Sequence, residues 1–219
     1  MTSNKRNKTE FLSSGYYLPE KIAAFRRLHP EIDIQISGEG TQTAQQLILS
    51  GDIDMAVINM EGLPETLEAH SLVKKEEVVA CVWPGHRFAE RKAVSFEEFA
   101  QESLIVYSEG YYLRELIGKL SRDCGLEPRM AVETNLLRLM ISQVQEQLGI
   151  GFCLRRVVDA ESNLVGVSFK QPLYLDLGIA WKRNHYLSKA NRRFVDYLLG
   201  ESGGVAGDLE NPDARKRQE

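Results

Sequence analysis

The sequence lacks the long apolar segments that mark membrane and exported proteins. No uninterrupted apolar run in its 219 residues approaches the roughly 20 residues that a membrane-spanning helix requires. The first ten residues, MTSNKRNKTE, contain no apolar core of the kind that a secretion signal needs. These two absences predict a cytoplasmic protein without a membrane partner.

Cysteine is scarce, and its three copies stand far apart. Cys81, Cys124 and Cys153 are odd in number and form no CxxC pair, which excludes a disulfide framework and the usual zinc or redox motifs. Their apolar neighbours predict three buried, reduced thiols. The four histidines also lack the spacing of metal ligands, so we expect no metal and no cofactor.

An excess of basic charge is missing as well. The 27 Lys and Arg residues are outnumbered by 31 Asp and Glu residues, which gives a net charge of −4. A protein that binds nucleic acid by itself normally has a basic surface and a high isoelectric point. The charge balance therefore argues against a stand-alone nucleic-acid binder.

Catalytic motifs do not appear in the sequence. It has no GxSxG turn, and its histidines lie in turns or polar segments where surface positions explain them. Cys153 lies in an apolar strand pattern, where burial raises the pKa of a thiol and makes it a poor nucleophile. We therefore predict that the protein is not an enzyme.

The pattern of apolar residues predicts two clusters of alternating strands and helices. The first begins with a strand at Phe11, continues with a period-2 strand over Ile32–Ile36 and includes the nearly continuous apolar run Ile53–Ile58. With the two helices between them, these strands form a βαβαβ unit. Leu72–Val73 and Val78–Trp83 are predicted as two further, separate strands.

After residue 83 the alternation of strands and helices begins again. One helix of this second cluster is predicted to be capped by Asn135 and to place Leu148 on its apolar stripe. We predict two hinged α/β lobes: residues 9–83 and 177–200 form lobe I, and residues 84–176 form lobe II. Residues 1–8 are predicted as a leader and the charged, Gly-rich residues 201–219 as a disordered tail.

Loops rich in hydrogen-bond donors follow several of the predicted strands. Hinged α/β lobes bind ligands in the cleft at the carboxyl ends of their parallel strands, where helix N-termini attract anions. The predicted ligand-binding residues are Ser13, Ser14, Gly15, Gly40 and Thr41 in the first cluster, and Glu109, Gly110, Tyr111, Thr134 and Asn135 in the second.

Other interpretations of these loops remain open. Thr41 is equally compatible with a helix cap that follows a tight turn, and for each loop of the second cluster taken alone, capping is the simpler explanation. A dinucleotide fingerprint is disfavoured because its third glycine would fall at Thr43. The acidic residues Glu39 and Glu109 would suit a ligand that is neutral or carries an ammonium group.

Three segments resemble the effector-binding domain of LysR-type transcriptional regulators. The first is LPEKIAAFRRLHPEIDIQISGEGTQTAQQLILSGDIDMAVI, which has that family's order of LP, a helix ending before proline, a strand, glycine, a helix and a G-x-(I/L)-D-x-A motif. VVACVWPGHRFAE is similar to its P-x-H-P-L-A segment, with Arg87 and Phe88 in place of Pro-Leu. QEQLGIGFCLRRVV is similar to its V-x-x-G-x-G-I-x-x-L-P segment, with Arg155 in place of proline.

The resemblance covers about residues 9–200 and implies an α/β, type 2 periplasmic-binding-protein-like fold with two Rossmann-like lobes joined by a two-strand hinge. It implies a regulatory domain that senses a small-molecule effector, with Ser13 or Ser14, Thr41 and the Thr134 loop as contacts. We expect an anionic metabolite whose binding is relayed through lobe closure and oligomer rearrangement. A free-standing solute-binding protein or an enzyme on the same fold is the alternative.

The resemblance also implies partners. Regulators of this family form homodimers or tetramers, and here the expected head-to-tail dimer uses the first helix and the Ile32–Ile36 strand. In the family a winged helix-turn-helix and a linker helix precede the segment seen here. No counterpart is found in this sequence, so DNA contacts are expected only through a part of the regulator that this chain lacks.

Overall fold

The computed structural model describes residues 7–11 by their backbone and residues 18–200 in full. The strands are β1 Asn7–Phe11, β2 Ile34–Ser37, β3 Met55–Asn59, β4 Leu67–Val82, β5 Ala93–Val94, β6 Leu104–Tyr107, β7 Met130–Thr134, β8 Ile150–Leu154, β9 Val165–Phe169 and β10 Leu173–Lys182. The helices are α1 Pro19–Leu28, α2 Thr41–Ser50, α3 Phe96–Ala100, α4 Tyr112–Cys124, α5 Leu137–Gln145, α6 Arg155–Asp159 and α7 Lys189–Leu199. Across this described part of the chain, no helix has both the length and the apolarity to cross a membrane.

Two groups of parallel strands share one sheet. The strand order is β2-β1-β3-β10-β4-β8-β6-β7, with β9 beside β4 and β5 beside β9. β1 is parallel to β2 and β3, and β6 is parallel to β7 and β8, whereas β10 runs antiparallel to both β3 and β4. We call β1–β3 with α1, α2 and α7 lobe I, and β5–β9 with α3–α6 lobe II. β4 and β10 connect the lobes.

The two connecting strands are irregular where they pass between the lobes. Lys75 in β4 has a left-handed φ of 54°, and the register of β10 shifts between Leu175 and Gly178. The Lys75 N–H donates to Asp176 Oδ1 at 2.7 Å, which joins the two irregular points. Such bulges bend a strand locally without breaking its pairing on either side.

β4 corrects one prediction from the sequence. Leu72–Val73 and Val78–Trp83 were expected to be two strands, but Leu72–Val73 and Val78–Val82 belong to one strand of 16 residues, which ends before Trp83. The polar stretch Lys74–Glu77 between them keeps its backbone beside β10, and Glu76 and Glu77 pair with Leu175 and Tyr174. A polar stretch can therefore remain in a strand where the neighbouring backbone supplies the hydrogen bonds.

Arg155 links the connecting strand β4 to lobe II through hydrogen bonds. Its guanidinium donates to Glu77 of β4, to the carbonyl oxygen of Gly166 at 3.2 Å and to Ser168 Oγ at 2.9 Å. Although burial alone would raise the pKa of Glu77, the hydrogen bonds from Arg155 and Ser168 lower it below its ordinary value. Arg155, which stands where the family segment has proline, is the first residue of α6. No helix was predicted at this position.

Aromatic side chains form the interior of each lobe. In lobe I the ring of Phe25 from α1 meets Phe194 from α7 with a centroid distance of 5.0 Å. In lobe II, Phe99, Phe152 and Phe169 lie with pairwise centroid distances of 5.4 to 5.6 Å. The C-terminal helix α7 therefore packs against α1 of lobe I.

Three smaller predictions are wrong. Cys124 is exposed at the end of α4, while Cys81 and Cys153 are buried as expected. Asn135 does not cap α5, because the N-cap residue is Leu136 and no side chain caps it. Leu148 is half exposed because α5 ends at Gln145 and leaves it outside the helical stripe.

Gly149 provides a test of the packing between β6 and β8. A Cβ at this position would lie 3.1 Å from the carbonyl carbon of Ser103 and 3.3 Å from Ile105 Cγ1. The Ile150 N–H donates to the Ser103 oxygen at 2.9 Å, so the two backbones cannot separate freely. We expect Gly149→Ala to lower the free energy of unfolding by about 1–3 kcal/mol in urea denaturation.

Gly118 is the matched control, because it lies inside α4 and a Cβ there would meet only the flexible ends of Arg122 and Arg114. Gly118→Ala is expected to raise the free energy of unfolding by about 0.5–1 kcal/mol, since alanine favours a helix interior. Equal stability of the Gly149→Ala variant and the original chain would contradict the packing described for β6 and β8.

Candidate functional site

The first side of the interlobe cleft is the N-terminus of α2 in lobe I. Gly40 is the N-cap residue, and its carbonyl oxygen accepts from the Ala44 N–H at 2.9 Å. Thr41 is the first residue of the helix and is only 8% exposed. Its Oγ1 has no hydrogen-bond partner within the described residues. The interpretation of Thr41 as a helix cap is therefore wrong, and no described residue pairs with its hydroxyl.

The opposite side is the loop between β6 and α4 in lobe II. Gly110 has a φ of 87°, a left-handed conformation that favours glycine. Tyr111 follows as the N-cap residue of α4, is buried, and stacks on the ring of Tyr107 with a centroid distance of 5.3 Å. No side chain caps α4, so the capping alternative does not account for this loop either.

These two loops are in direct contact across the cleft. The Gln42 N–H donates to the Gly110 oxygen at 3.4 Å, and the Tyr111 hydroxyl donates to the Gly38 oxygen at 3.4 Å. A Cβ at Gly40 would lie 2.6 Å from the carbonyl carbon of Gly110, so only glycine permits this approach. The structure thus brings together Gly40, Gly110 and Tyr111, which the sequence analysis assigned to one cleft.

The end of β3 adds a residue that the sequence analysis missed. Asn59 is 1% exposed, and neither polar atom of its carboxamide makes a well-formed hydrogen bond to a described residue. It lies close enough to Tyr112 of lobe II to favour ionisation of that phenol. The sequence contains a signal that could have identified Asn59. It is a polar residue directly after the apolar run Ile53–Ile58, at the carboxyl end of a buried parallel strand.

Tyr112 connects the lobes next to Asn59. Its hydroxyl donates to Glu61 Oε2 at 2.5 Å. Burial of the phenol, and then the bond to the Glu61 carboxylate, raise the pKa of Tyr112 above its ordinary value. A second connection joins the Gln42 side-chain amide of lobe I to the Glu115 carboxylate of lobe II. Two carboxylates at the cleft are thereby hydrogen-bonded by neutral donors.

The remaining predicted residues lie at different depths. Thr134 is buried at the end of β7, its carbonyl oxygen accepts from the Ser108 N–H at 3.2 Å, and its Oγ1 accepts from the Leu136 N–H. Glu109 is exposed and lines a groove of about 400 Å³ together with Gln42 and Gly110. Asn135 is exposed, and no described contact joins its side chain to the cleft. Ser13, Ser14 and Gly15 lie outside the described residues.

The chemistry of the cleft is that of hydrogen bonding. A hydroxyl and a carboxamide both donate and accept hydrogen bonds but are neither acids nor bases near neutral pH. Within the part of the chain that the structure describes, no group of three or more His, Cys, Asp or Glu side chains is arranged to hold a metal ion. The unpaired groups of the cleft therefore suit the binding of a polar molecule.

Comparison with known proteins agrees with this architecture. The family model of the LysR substrate binding domain matches residues 11–203. The uncharacterized HTH-type transcriptional regulator YwbI of Bacillus subtilis is 25% identical over 189 residues, which cover 85% of this chain and 62% of YwbI. The chain thus spans about three-fifths of the length of this relative.

Solved structures share the fold. The regulatory domain of Synechocystis PCC6803 CcmR in complex with 2-PG has a TM-score of 0.80 at 16% identity, over 91% of this chain and 98% of that one. The effector binding domain of QuiR in complex with shikimate has a TM-score of 0.74 at 22% identity, over 93% and 100% of the two chains. These likenesses and the strand order confirm the type 2 periplasmic-binding-protein-like fold. With one family model matching nearly its whole length, the chain belongs to the LysR substrate binding domain family and is an effector-binding domain of LysR type.

Proposed function

We propose that this domain senses a small anionic metabolite, which binds between the two lobes, for a transcriptional regulator. The observation that carries the proposal is the buried Thr41 Oγ1, which has no hydrogen-bond partner within the described residues, together with the buried Asn59 carboxamide, which makes no well-formed hydrogen bond there. Leaving a buried polar group unpaired costs about 1–3 kcal/mol. A ligand that pairs with Thr41 Oγ1 removes this cost, and the same ligand can complete the hydrogen bonding of Asn59.

The position of Thr41 favours an anionic ligand. The N-terminus of a helix carries unpaired N–H groups and a partial positive charge, which bind carboxylate or phosphate groups. Thr41 is the first residue of the ten-residue helix α2, so its hydroxyl lies beside those N–H groups. Two acidic side chains at the cleft, Glu61 and Glu115, already accept hydrogen bonds from Tyr112 and Gln42, which reduces their repulsion of an anion. Shikimate, the ligand of QuiR, is itself a carboxylate.

The contacts between the lobes support a role for lobe closure. Both loops of the cleft meet through Gln42, Gly110 and Tyr111, and β4 and β10 are irregular at Lys75 and Asp176. We propose that the hinge runs through these two residues, while the boundaries at residues 83 and 176 remain a prediction. A ligand shifts the equilibrium between open and closed lobes by its difference in affinity for the two states.

The other parts of the proposal concern the whole regulator. YwbI is named as an HTH-type regulator, and this chain covers 62% of it, so we propose that DNA binding belongs to the remaining part of such a protein. On this proposal the domain acts in the cytoplasm as a sensor and not as an enzyme, and it forms a homodimer or tetramer that rearranges when the effector binds.

A substitution at Thr41 can distinguish an effect on ligand binding from an effect on folding. Isothermal titration calorimetry with a panel of small carboxylates, including shikimate, benzoate and 2-PG, is expected to identify a binder. Thr41→Val keeps the shape of the side chain and removes its hydroxyl, so the dissociation constant should rise by roughly 10- to 100-fold. The free energy of unfolding of the ligand-free domain should not fall, because Oγ1 has no partner there to lose.

Thr43→Val is the matched control, because Thr43 is exposed on the same helix. It is expected to leave the dissociation constant unchanged. The proposal fails if no carboxylate of the panel binds, or if Thr41→Val affects the dissociation constant no more than Thr43→Val does.

The second prediction tests the contact between the lobes at Gly40. Gly40→Ala places a Cβ against the carbonyl group of Gly110 and should force the two loops apart. We expect the Gln42 amide, which donates to Gly110, to exchange its hydrogen at least about tenfold faster. Gly38→Ala is the control, because a Cβ at Gly38 would meet nothing within 4 Å. Equal exchange rates in the two variants would show that the lobes do not rely on this contact.

The third prediction concerns the proposed dimer. Leu28 of α1 and Ile36 of β2 are 63% and 48% exposed, and β2 is an edge strand of the sheet. A head-to-tail dimer through α1 and β2 would bury these two side chains. We expect Leu28→Glu with Ile36→Glu to give a monomer in size-exclusion chromatography with light scattering, while Leu148→Glu on lobe II leaves the dimer intact. A dimer that survives the double substitution would exclude this interface.

A further inference from the structure

We propose that lobe II contains a second small-molecule site, which takes an uncharged molecule the size of one aromatic ring. The site is a cavity of about 170 Å³ between the start of α3, the C-terminal half of α4 and the link from β9 to β10. None of the residues that line it belongs to the interlobe cleft, so the inference is independent of the effector proposal.

One part of the cavity wall is apolar. It consists of Phe96, Leu120, Phe169 and Leu173, which come from four different elements of the fold. The rings of Phe96 and Phe169 have a centroid distance of 6.5 Å and an interplanar angle of 45°. Phe96, Leu120 and Leu173 are only partly buried although they pack against the core, so a ligand in the cavity would cover apolar surface that the fold leaves in contact with water.

The volume limits what the cavity can hold. An apolar cavity of about 150 Å³ is sufficient for benzene. A helix or a strand of a partner protein would not fit into about 170 Å³, whereas one aromatic ring with a small substituent would. The occupant is therefore a small molecule rather than a peptide segment.

The polar residues at the cavity favour an uncharged ligand. Glu97 and Lys170 bring one charge of each sign, and the Lys170 ammonium also lies 3.2 Å from Glu98 Oε2. Glu98 remains ionised, because hydrogen bonds from Arg91, the Ser95 backbone and Lys170 lower its pKa to about 2. Because the opposite charges of Glu97 and Lys170 balance at the edge of the cavity, a ligand with a net charge of either sign gains little binding energy there. One hydroxyl or amide substituent on the ring would find both donors and acceptors.

The location of the cavity connects it to the hinge. Leu173 is the first residue of β10, the strand that pairs with β3 of lobe I as well as with β4. An occupant that packs on Leu173 therefore contacts a strand that both lobes share.

The thiol of Cys124 allows a covalent test of this site, because it can form a mixed disulfide with a small probe molecule. It lines the cavity and is exposed, whereas Cys81 and Cys153 are buried. Partial desolvation beside the cavity wall, and then the neighbouring Glu97 carboxylate, raise the pKa of the Cys124 thiol, so the experiment compares disulfides at equilibrium rather than rates of reaction. Bis(2-phenylethyl) disulfide and bis(2-hydroxyethyl) disulfide are each equilibrated with the protein at increasing 2-mercaptoethanol, and adducts are counted by intact-protein mass spectrometry.

For each adduct, the measured quantity is the 2-mercaptoethanol concentration at which half of the adduct is released. If the ring enters the cavity, this concentration should be at least about tenfold higher for the phenylethyl adduct than for the hydroxyethyl adduct. The reason is that burial of the ring stabilises the disulfide. Gln171→Trp fills the mouth of the cavity from an exposed position and should bring this ratio close to one. Gln101→Trp, also exposed but outside the cavity, should leave the ratio unchanged. A ratio near one in the original chain, or a high ratio that persists in Gln171→Trp, overturns the proposal.

Discussion

The pairing of β4 with β10 is the interaction on which the rest of the structure depends. These strands lie side by side from Leu67 and Lys182 at one end to Val78 and Leu173 at the other, with β3 attached on one side and β8 on the other. Because the parallel strands of each lobe are built outward from this pair, the carboxyl ends of both groups come to face one cleft. The irregular points at Lys75 and Asp176 concentrate the bend of both strands in one place.

The cleft contains two buried polar side chains whose hydrogen bonding is incomplete within the described residues. Thr41 and Asn59 are buried between well-packed elements, yet Oγ1 and the carboxamide have no well-formed hydrogen bonds within the described residues. By contrast, three neighbouring side chains donate hydrogen bonds to groups of the opposite lobe: Tyr112, Gln42 and Tyr111. The lobes are therefore joined through one set of side chains, while Thr41 and Asn59 are left without well-formed hydrogen bonds in the described part of the chain.

Periodicity in the sequence predicted most elements, because the apolar faces of the strands and of helices such as α4 follow their expected spacing. It failed where tertiary contacts decide the outcome. The polar stretch Lys74–Glu77 stays in β4 because β10 supplies backbone partners. Arg155, which stands where the family segment has proline, begins the helix α6, and no helix was predicted there. Cys124 is exposed because its helix ends at that residue. For the site, sequence spacing placed Gly40 and Gly110 in one cleft but could not show that Thr41 is no cap, since that depends on the coordinates of a single oxygen atom.

If a ligand pairs with the buried polar groups between the lobes, as we propose, the side-chain amide of Asn59 reports on this pairing directly. Nuclear magnetic resonance of the ¹⁵N-labelled domain resolves this carboxamide, with Asn59→Leu as the means of assignment. On addition of a carboxylate that calorimetry shows to bind, the account predicts that the Asn59 side-chain resonances shift together with the backbone amides of Thr41 and Gln42. Binding that leaves the Asn59 and Thr41 resonances unchanged would contradict the account.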